Sequence, residues 1–272
     1  MGAGALSSAR GQLPQAIVLA GSRGADDAVA AAAGVPSKVL APLGGRAVLL
    51  RVLDALRGRV HVPVLLSGPP RELFDAEPEL RALEQEGALR WLAPGPSPSG
   101  SAATAFEHAD PGAGVLLTTA DHGLLTGAVV DEFLAAAARL DAEVCVGLAA
   151  LEQVRRFAPE LPRTGLNFSD GRRCGCNLFL LRGAGAQAAL QFWQQLESQR
   201  KQPHRLAAAL GAGVLLRYAL GRLSLDEAFA ALSQRSGARC AALLLSVPQA
   251  AVDVDSVADW AFADRWWRER AG

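Results

Sequence analysis

The 272 residues include only four cysteines, and Cys145, Cys174, Cys176 and Cys240 do not follow the spacing of a disulfide framework. Cys174 and Cys176 form a C-x-C pair that lacks the wider spacing and second pair of a structural zinc site. Reduced, partly buried thiols in a cytoplasmic protein are the expectation. Net charge is missing too, because 27 basic and 27 acidic residues cancel. Nucleic acid and anionic membranes usually call for a basic excess, so neither is expected as the main partner. A small anionic ligand needs only two or three local cations and stays open. Lysine is rarer than cysteine: Lys38 and Lys201 stand against 25 arginines, which makes each lysine worth following. No apolar run reaches the roughly 18 residues that span a bilayer, so membrane insertion is not expected. The first 13 residues lack a basic start followed by an apolar stretch, and read as a loose tail, not a signal peptide.

Half of the chain is hydrophobic, enough for a sizeable core. Short apolar runs alternate with helical periodicity. Strands are expected at 16–20, 62–67, 88–93, 114–120, 142–149, 165–170, 177–182 and 240–247. Several are near-continuous Val/Leu runs, as in strands covered on both faces. Helices are expected at 47–57 and 70–86, each closed by a glycine, and at 101–109, 127–140, 184–200, 203–219, 224–235 and 256–269. This alternation implies a mainly parallel sheet with helices on both faces. Ligands of such sheets sit at the carboxyl ends of the strands, where strand order reverses. The helical block at 184–235 interrupts the alternation with no Pro/Gly/Ser linker to set it apart. One domain over 14–272 with a helical insertion is the expected organisation.

Four stretches carry candidate chemistry. In "AIVLAGSRGADDAVAAAAGVPSKVLAPLGGR", Gly21 and Gly24 follow a strand, where backbone amides can form a nest for anionic oxygens. Arg23 has the planar fork that suits phosphate, and Lys38 could add a point charge. An ordinary strand–loop–helix unit with nothing bound explains the same residues. In "LLTTADHGLLT", Asp121 falls just after a buried strand, where a carboxylate is costly unless hydrated, paired or bound to metal. An Asx turn is the plain alternative. His122 beside it is expected to be exposed and is given no role. In "AVDVDSVADWAFADRW", Asp253 and Asp255 flank Val254 and point the same way in an extended segment. Ser256 and Asp259 resemble a capping box, which leaves the two preceding carboxylates unexplained. In "APGPSPSGSAATAF" a loop leads to a helix opening near Ser101, whose free N–H groups could meet a base or ribose.

Taken in order, "LAGSRG", "PSKVLAPLGGRAVLLRVLDAL", "TTADHGLL" and "VDVDSVADW" resemble the MobA-like NTP transferase family, over about residues 15–182 and 240–262. The resemblance implies a three-layer, Rossmann-like GT-A fold. It implies transfer of a nucleoside monophosphate from an NTP to a phosphorylated small-molecule acceptor, with release of pyrophosphate. By motif position the nucleotide would lie along Leu19, Ala20, Gly21, Ser22 and Arg23, with Lys38, Gly95, Ser101 and Asp121. Arg23 and Lys38 would be the catalytic cations, and Asp121 and Asp255 would bind Mg2+. Arg163, Thr164, Asn177 and Lys201 would face the acceptor, with Arg200, His204 and Arg205 close by in sequence. The chemistry agrees with such residues: a phosphate is already a competent nucleophile, so the protein mainly has to position two anions and screen their repulsion. No Ser-His-Asp set is needed.

Two features depart from the family pattern. Ser22 stands where a second glycine is usual, and 14 residues separate Arg23 from Lys38, a longer loop than is typical. If that loop cannot fold over a triphosphate, Lys38 is misplaced. Two other readings stay open: a GT-A glycosyltransferase using a nucleotide sugar, though "TADHG" lacks a D-x-D pair, and a nucleotide-binding regulator without catalysis. The base, the acceptor and homo-oligomer formation are left open by the sequence.

Overall fold

The computed structural model describes residues 13–21, 27–110, 112–199 and 211–271. Its centre is an eight-stranded sheet. Along the main path the order is β10 (Cys240–Leu245), β7 (Val144–Ala150), β9 (Gly171–Leu181), β6 (Val115–Thr119), β1 (Gln15–Leu19), β4 (His61–Ser67) and β5 (Leu89–Leu92). All neighbours are parallel except at β9, which runs antiparallel to both β6 and β7. The short β8 (Leu166–Phe168) pairs antiparallel with the start of β9, so β8 and β9 form a hairpin.

Alternation along β1 shows why the sheet needs two covering layers. Ala16 and Val18 enter one apolar cluster and Ile17 the other, with all three fully buried. On the first face lie α1 (Ala28–Ala33), α2 (Val48–Leu56), α6 (Gly127–Ala137), α7 (Leu151–Phe157) and α11 (Val257–Ala271). They contribute Val29, Leu49, Val52, Phe133, Val154 and Trp266. On the second face, Ala102 and Ala105 of α5 (Pro98–Glu107) pack with Ala186 and Leu190 of α8 (Gly185–Gln199). Small side chains on α5 let α8 lie close above it. The helical block continues with α9 (Ala212–Ala219) and α10 (Leu225–Ser236), and α10 leads into β10. A full capping box, Ser224 with Glu227, starts α10, and Gly237 in the left-handed region ends it. No helix among the described residues is long and apolar enough to cross a membrane.

Every expected strand is present. The last run of β9 begins earlier than its apolar pattern, at Gly171, because the polar residues 171–175 pair with both β7 and β8. The helix expected at 70–86 is two, α3 (Arg71–Ala76) and α4 (Pro78–Gln85), since Pro78 pushes Glu77 into extended geometry. The helices α1 and α7 were not expected. For α1 the signals were local: Asp27 accepts from the amides of Val29 and Ala30, and Gly34 closes the helix at φ +66°. Of the expected helix at 203–219 only the part from Ala212 lies within the described residues. A two-residue ladder, β2 (Pro42–Leu43) with β3 (Arg46–Ala47), turns the chain after Lys38 into α2.

Candidate active site

Three distant segments meet at the carboxyl end of β6. Lys38 sits at the start of a single 3-10 turn, Lys38–Leu40, which is closed by the Ala41 amide bonding back to the Lys38 carbonyl. Its ammonium lies 2.7 Å from Asp121 Oδ2, 3.0 Å from Asp255 Oδ1 and 3.1 Å from the Val254 carbonyl. One lysine therefore links two aspartates that are 134 positions apart in sequence. Helix α1 takes up part of the long loop before Lys38.

The backbone sets how close the two carboxylates come. The Val254 amide donates to the Asp121 carbonyl at 2.8 Å. Gly123 permits this approach: a Cβ there would stand 2.5 Å from Val254 Cγ2. Helix α11 holds the turn from outside, with Trp267 Nε1 donating to the Gly123 carbonyl (2.9 Å) and Trp260 Nε1 to the Pro42 carbonyl (2.8 Å). The Arg51 guanidinium lies over the Trp267 ring, 4.1 Å from its centroid. Burial works against the charge on Lys38, but Asp121 and then Asp255 outweigh it, so its pKa is raised and the ammonium is secure.

Asp253 has a different environment from Asp255, two residues on. Asp255 is exposed. Asp253 Oδ2 accepts from Asn177 Nδ2 at 2.7 Å, while its Oδ1 is buried with no partner. Desolvation, reinforced by the charges of Asp121 and Asp255, pushes Asp253 up to about 8, so it is mainly neutral at pH 7. Asn177 reaches it from an irregularity in the β7–β9 pairing, where the Asn177 backbone takes φ +46°. His122, expected to be exposed, is fully buried, its Nδ1 3.4 Å from Thr118 Oγ1. Desolvation lowers it to about 4, so it is neutral beside Asp121.

Ser256 caps α11 as expected, accepting from the Asp259 amide, and its hydroxyl donates to Asp259 Oδ2 at 2.7 Å. The other oxygen of Asp259 accepts from Arg163 Nη2 at 2.6 Å in a nearly buried ion pair. Arg163 is thus tied to the cap of α11, though its Nε is buried without a partner. Thr164 is exposed, and Asn177 turns toward Asp253.

The start of α5 differs from expectation. The helix begins at Pro98, three residues before Ser101, with Ser97 as N-cap and proline in the first turn. Its early amides are taken: Gly100 N donates to Ser97 Oγ (3.2 Å), Ser101 N to the Ser97 carbonyl (2.8 Å) and Ser99 N to Glu197 Oε2 of α8 (3.0 Å). The free amides foreseen at this helix start are therefore not there. Ser101 is buried, and its hydroxyl accepts from the Gly95 amide at 2.9 Å. Gly95 lies so near α5 that a Cβ would meet Ser101 N at 2.8 Å. At the end of β1, Leu19 accepts from Ala120 and Ala20 donates to Ser67, leaving Gly21 exposed beyond the sheet. Ser22, Arg23 and Lys201, with Arg200, His204 and Arg205, lie outside the described residues.

A parallel sheet with one reversed strand inside it, and a lysine held between two aspartates at the carboxyl edge, give a Rossmann-like α/β architecture with a charged cluster where such sheets bind ligands. Residues 16–242 match the MobA-like NTP transferase domain, and the chain belongs to that family. A hypothetical transferase of known structure from Thermus thermophilus is 32% identical with a TM-score of 0.76, over 92% of this chain and all of its own. The fold is shared with 4-diphosphocytidyl-2C-methyl-D-erythritol synthase from Anaerococcus prevotii (11% identity, TM-score 0.57, 96% of this chain and 98% of that one). It is also shared with 2-C-methyl-D-erythritol 4-phosphate cytidylyltransferase from Thermus thermophilus (17%, 0.52, 94% and 100%). No curated protein matches the chain in sequence.

Proposed function

We propose that this nucleotidyltransferase moves a nucleoside monophosphate from an NTP to a phosphorylated small molecule and releases pyrophosphate. The observation that carries the reading is the Lys38 ammonium within 3.0 Å of both Asp121 and Asp255 at the carboxyl edge of the sheet. A divalent cation, Mg2+ in this reading, fits the same two carboxylates. Asp121 Oδ1 is buried without a partner, an acceptor whose desolvation is uncompensated. Among the described residues no set of three His, Cys, Asp or Glu side chains forms a metal shell. Mg2+ is commonly held by one or two carboxylates plus phosphates and water, so two aspartates suffice. When bound, the ion supplies charge neutralisation between triphosphate and acceptor.

The other roles fall to the chain itself. Lys38 supplies positive charge beside the α-phosphate, and Arg23 is assigned to the triphosphate. In the reaction an acceptor phosphate oxygen forms a bond to the α-phosphorus while the bond from that phosphorus to the bridging oxygen breaks, and the electron pair leaves with pyrophosphate. Neutral Asp253 adds no negative charge to this crowded region at pH 7. Arg163, Thr164, Asn177 and Lys201 are assigned to the acceptor side. Gly95 and Ser101 are assigned to the base, through the shape of the loop against α5 rather than through free helix amides.

A thermal-shift panel of four NTPs, each with and without Mg2+, tests the reading. One NTP should stabilise the protein most, and only with metal. Stabilisation by a nucleotide sugar with release of nucleoside diphosphate would point instead to glycosyl transfer. Stabilisation by NTP with no pyrophosphate from any phosphorylated acceptor would point to a regulator.

A further inference from the structure

We propose that the Lys38 ammonium is a placeholder for the divalent cation, holding Asp121 and Asp255 together in the nucleotide-free enzyme and releasing them when nucleotide phosphates draw it away. The proposal rests on the nucleotidyltransferase reading for the identity of the released state, but its first premise is geometric. The ammonium bonds one oxygen of each aspartate and a main-chain carbonyl, which is a three-oxygen cation site. A divalent cation held by Asp121 and Asp255 would compete with the ammonium for the same two carboxylates.

Two observations point to exchange and not to a permanent ion pair. The Asp255 side chain is 68% exposed, so one wall of the pocket opens to solvent and leaves the lysine a way out. The Lys38 stem is four flexible carbons with a rotatable head, so the charge can move without moving the 3-10 turn. The placeholder also has a reason to exist. Asp121 and Asp255 each turn an oxygen to the same ammonium, so without a cation between them the two carboxylates would face and repel each other. A resident cation offsets that repulsion until another arrives.

The consequence is an order of events. Metal meeting the free enzyme must displace a bonded ammonium; metal arriving with a nucleotide finds the lysine drawn to phosphate. Metal and nucleotide should then bind with positive coupling, and each should raise the other's affinity by the same factor.

The test is Mn2+ binding to the full chain without nucleotide, read by water-proton relaxation, which separates protein-held Mn2+ from Mn2+ on free nucleotide. Wild type is compared with Lys38→Met at about 0.5 M KCl, where a merely remote charge is screened. Lys38→Met should bind Mn2+ on the order of tenfold more tightly or better, and adding Asp121→Asn should abolish the gain. Lys38→Gln, neutral but still able to hydrogen-bond the carboxylates, should show the same direction if Lys38→Met does not fold. With a non-hydrolysable NTP analogue, wild type should gain Mn2+ affinity and Lys38→Met should gain much less. Equal Mn2+ affinity of wild type and both variants without nucleotide overturns the placeholder. If wild type still tightens with the analogue in that case, the nucleotidyltransferase reading survives. If no protein holds Mn2+ in any state, the metal assignment falls as well.

Discussion

The acidic pocket and the start of α5 are both at the carboxyl edge of the sheet, yet they treat their polar atoms in opposite ways. At the end of β6 and in the segment before α11, Thr119 Oγ1, Asp121 Oδ1 and Asp253 Oδ1 are buried without hydrogen-bond partners. At the start of α5, Ser97, Glu197 and the helix itself take up the amides of Ser99, Gly100 and Ser101. An unpaired buried polar atom destabilises a fold by roughly 1–3 kcal/mol, so such atoms persist where something else repays the loss. The contrast supports the proposed ligand chemistry at Asp121 and shows that the first amides of α5 are already satisfied.

The largest effect should come from breaking the acidic side. Asp121→Asn is expected to cut pyrophosphate release by about a hundred- to a thousandfold, measured in a coupled phosphate assay. Asp255→Asn, being exposed, should lose less. A result in which both lose under about twofold would mean the pocket is not where phosphates react.

Next in size is a pH effect that belongs to the pocket alone. Folded Asp253 keeps its proton up to about 8, whereas an unfolded aspartate loses it near its ordinary value of 3.8. The folded state therefore binds the extra proton, and stability falls as pH rises through that window. His122 has the opposite sign. Unfolded, it takes up a proton below its ordinary 6.5, but folded only below about 4, so it lowers stability as pH falls between those values. The two slopes cancel between about 4 and 6.5 and leave Asp253 alone above. Wild type should lose about 2 kcal/mol from pH 6.5 to 8, at roughly 1.4 kcal/mol per pH unit for one proton. Urea denaturation should show Asp253→Asn nearly flat across that range.

Two smaller tests sharpen the comparison from the framework side. Ser97→Ala removes the α5 cap and should cost about 1 kcal/mol, seen as a drop in Tm of about 2–4 °C for a chain of this order. Trp267→Phe keeps the ring but removes its donor to the Gly123 carbonyl, and should cost about 0.5–1 kcal/mol. If Trp267→Phe also weakens NTP-dependent stabilisation while Ser97→Ala does not, the outer clamp of the Asp121 turn matters to binding.

Much of this could be read from residues alone, and what could not has physical reasons. Asp121 stood out because it follows an apolar strand, Asp253 and Asp255 because capping by Ser256 and Asp259 leaves them unexplained, and Lys38 because lysine is scarce. Their convergence was foreseen through the resemblance to the family, which set Asp121 and Asp255 on one metal with Lys38 beside them. The split between Asp253 and Asp255 was beyond reach, because it depends on Asn177 adopting φ +46° at an irregular pairing of β9. The true start of α5 did carry a signal, Ser97 before Pro98, which the Pro/Gly/Ser content hid. The same holds for α1, where Asp27 and Gly34 frame an alanine run. That Glu197 takes the Ser99 amide could not be foreseen, since 98 positions separate the two.

One main-chain hydrogen bond, from Val254 to the Asp121 carbonyl, reaches further than its 2.8 Å. It makes the gap between the two carboxylate stems a property of peptide geometry, not of side-chain rotamers. Insertions or deletions in the segment ahead of Lys38 can then change the loop without moving the two carboxylates that hold the lysine. A scaffold built this way is free to change what it recognises while keeping its bite.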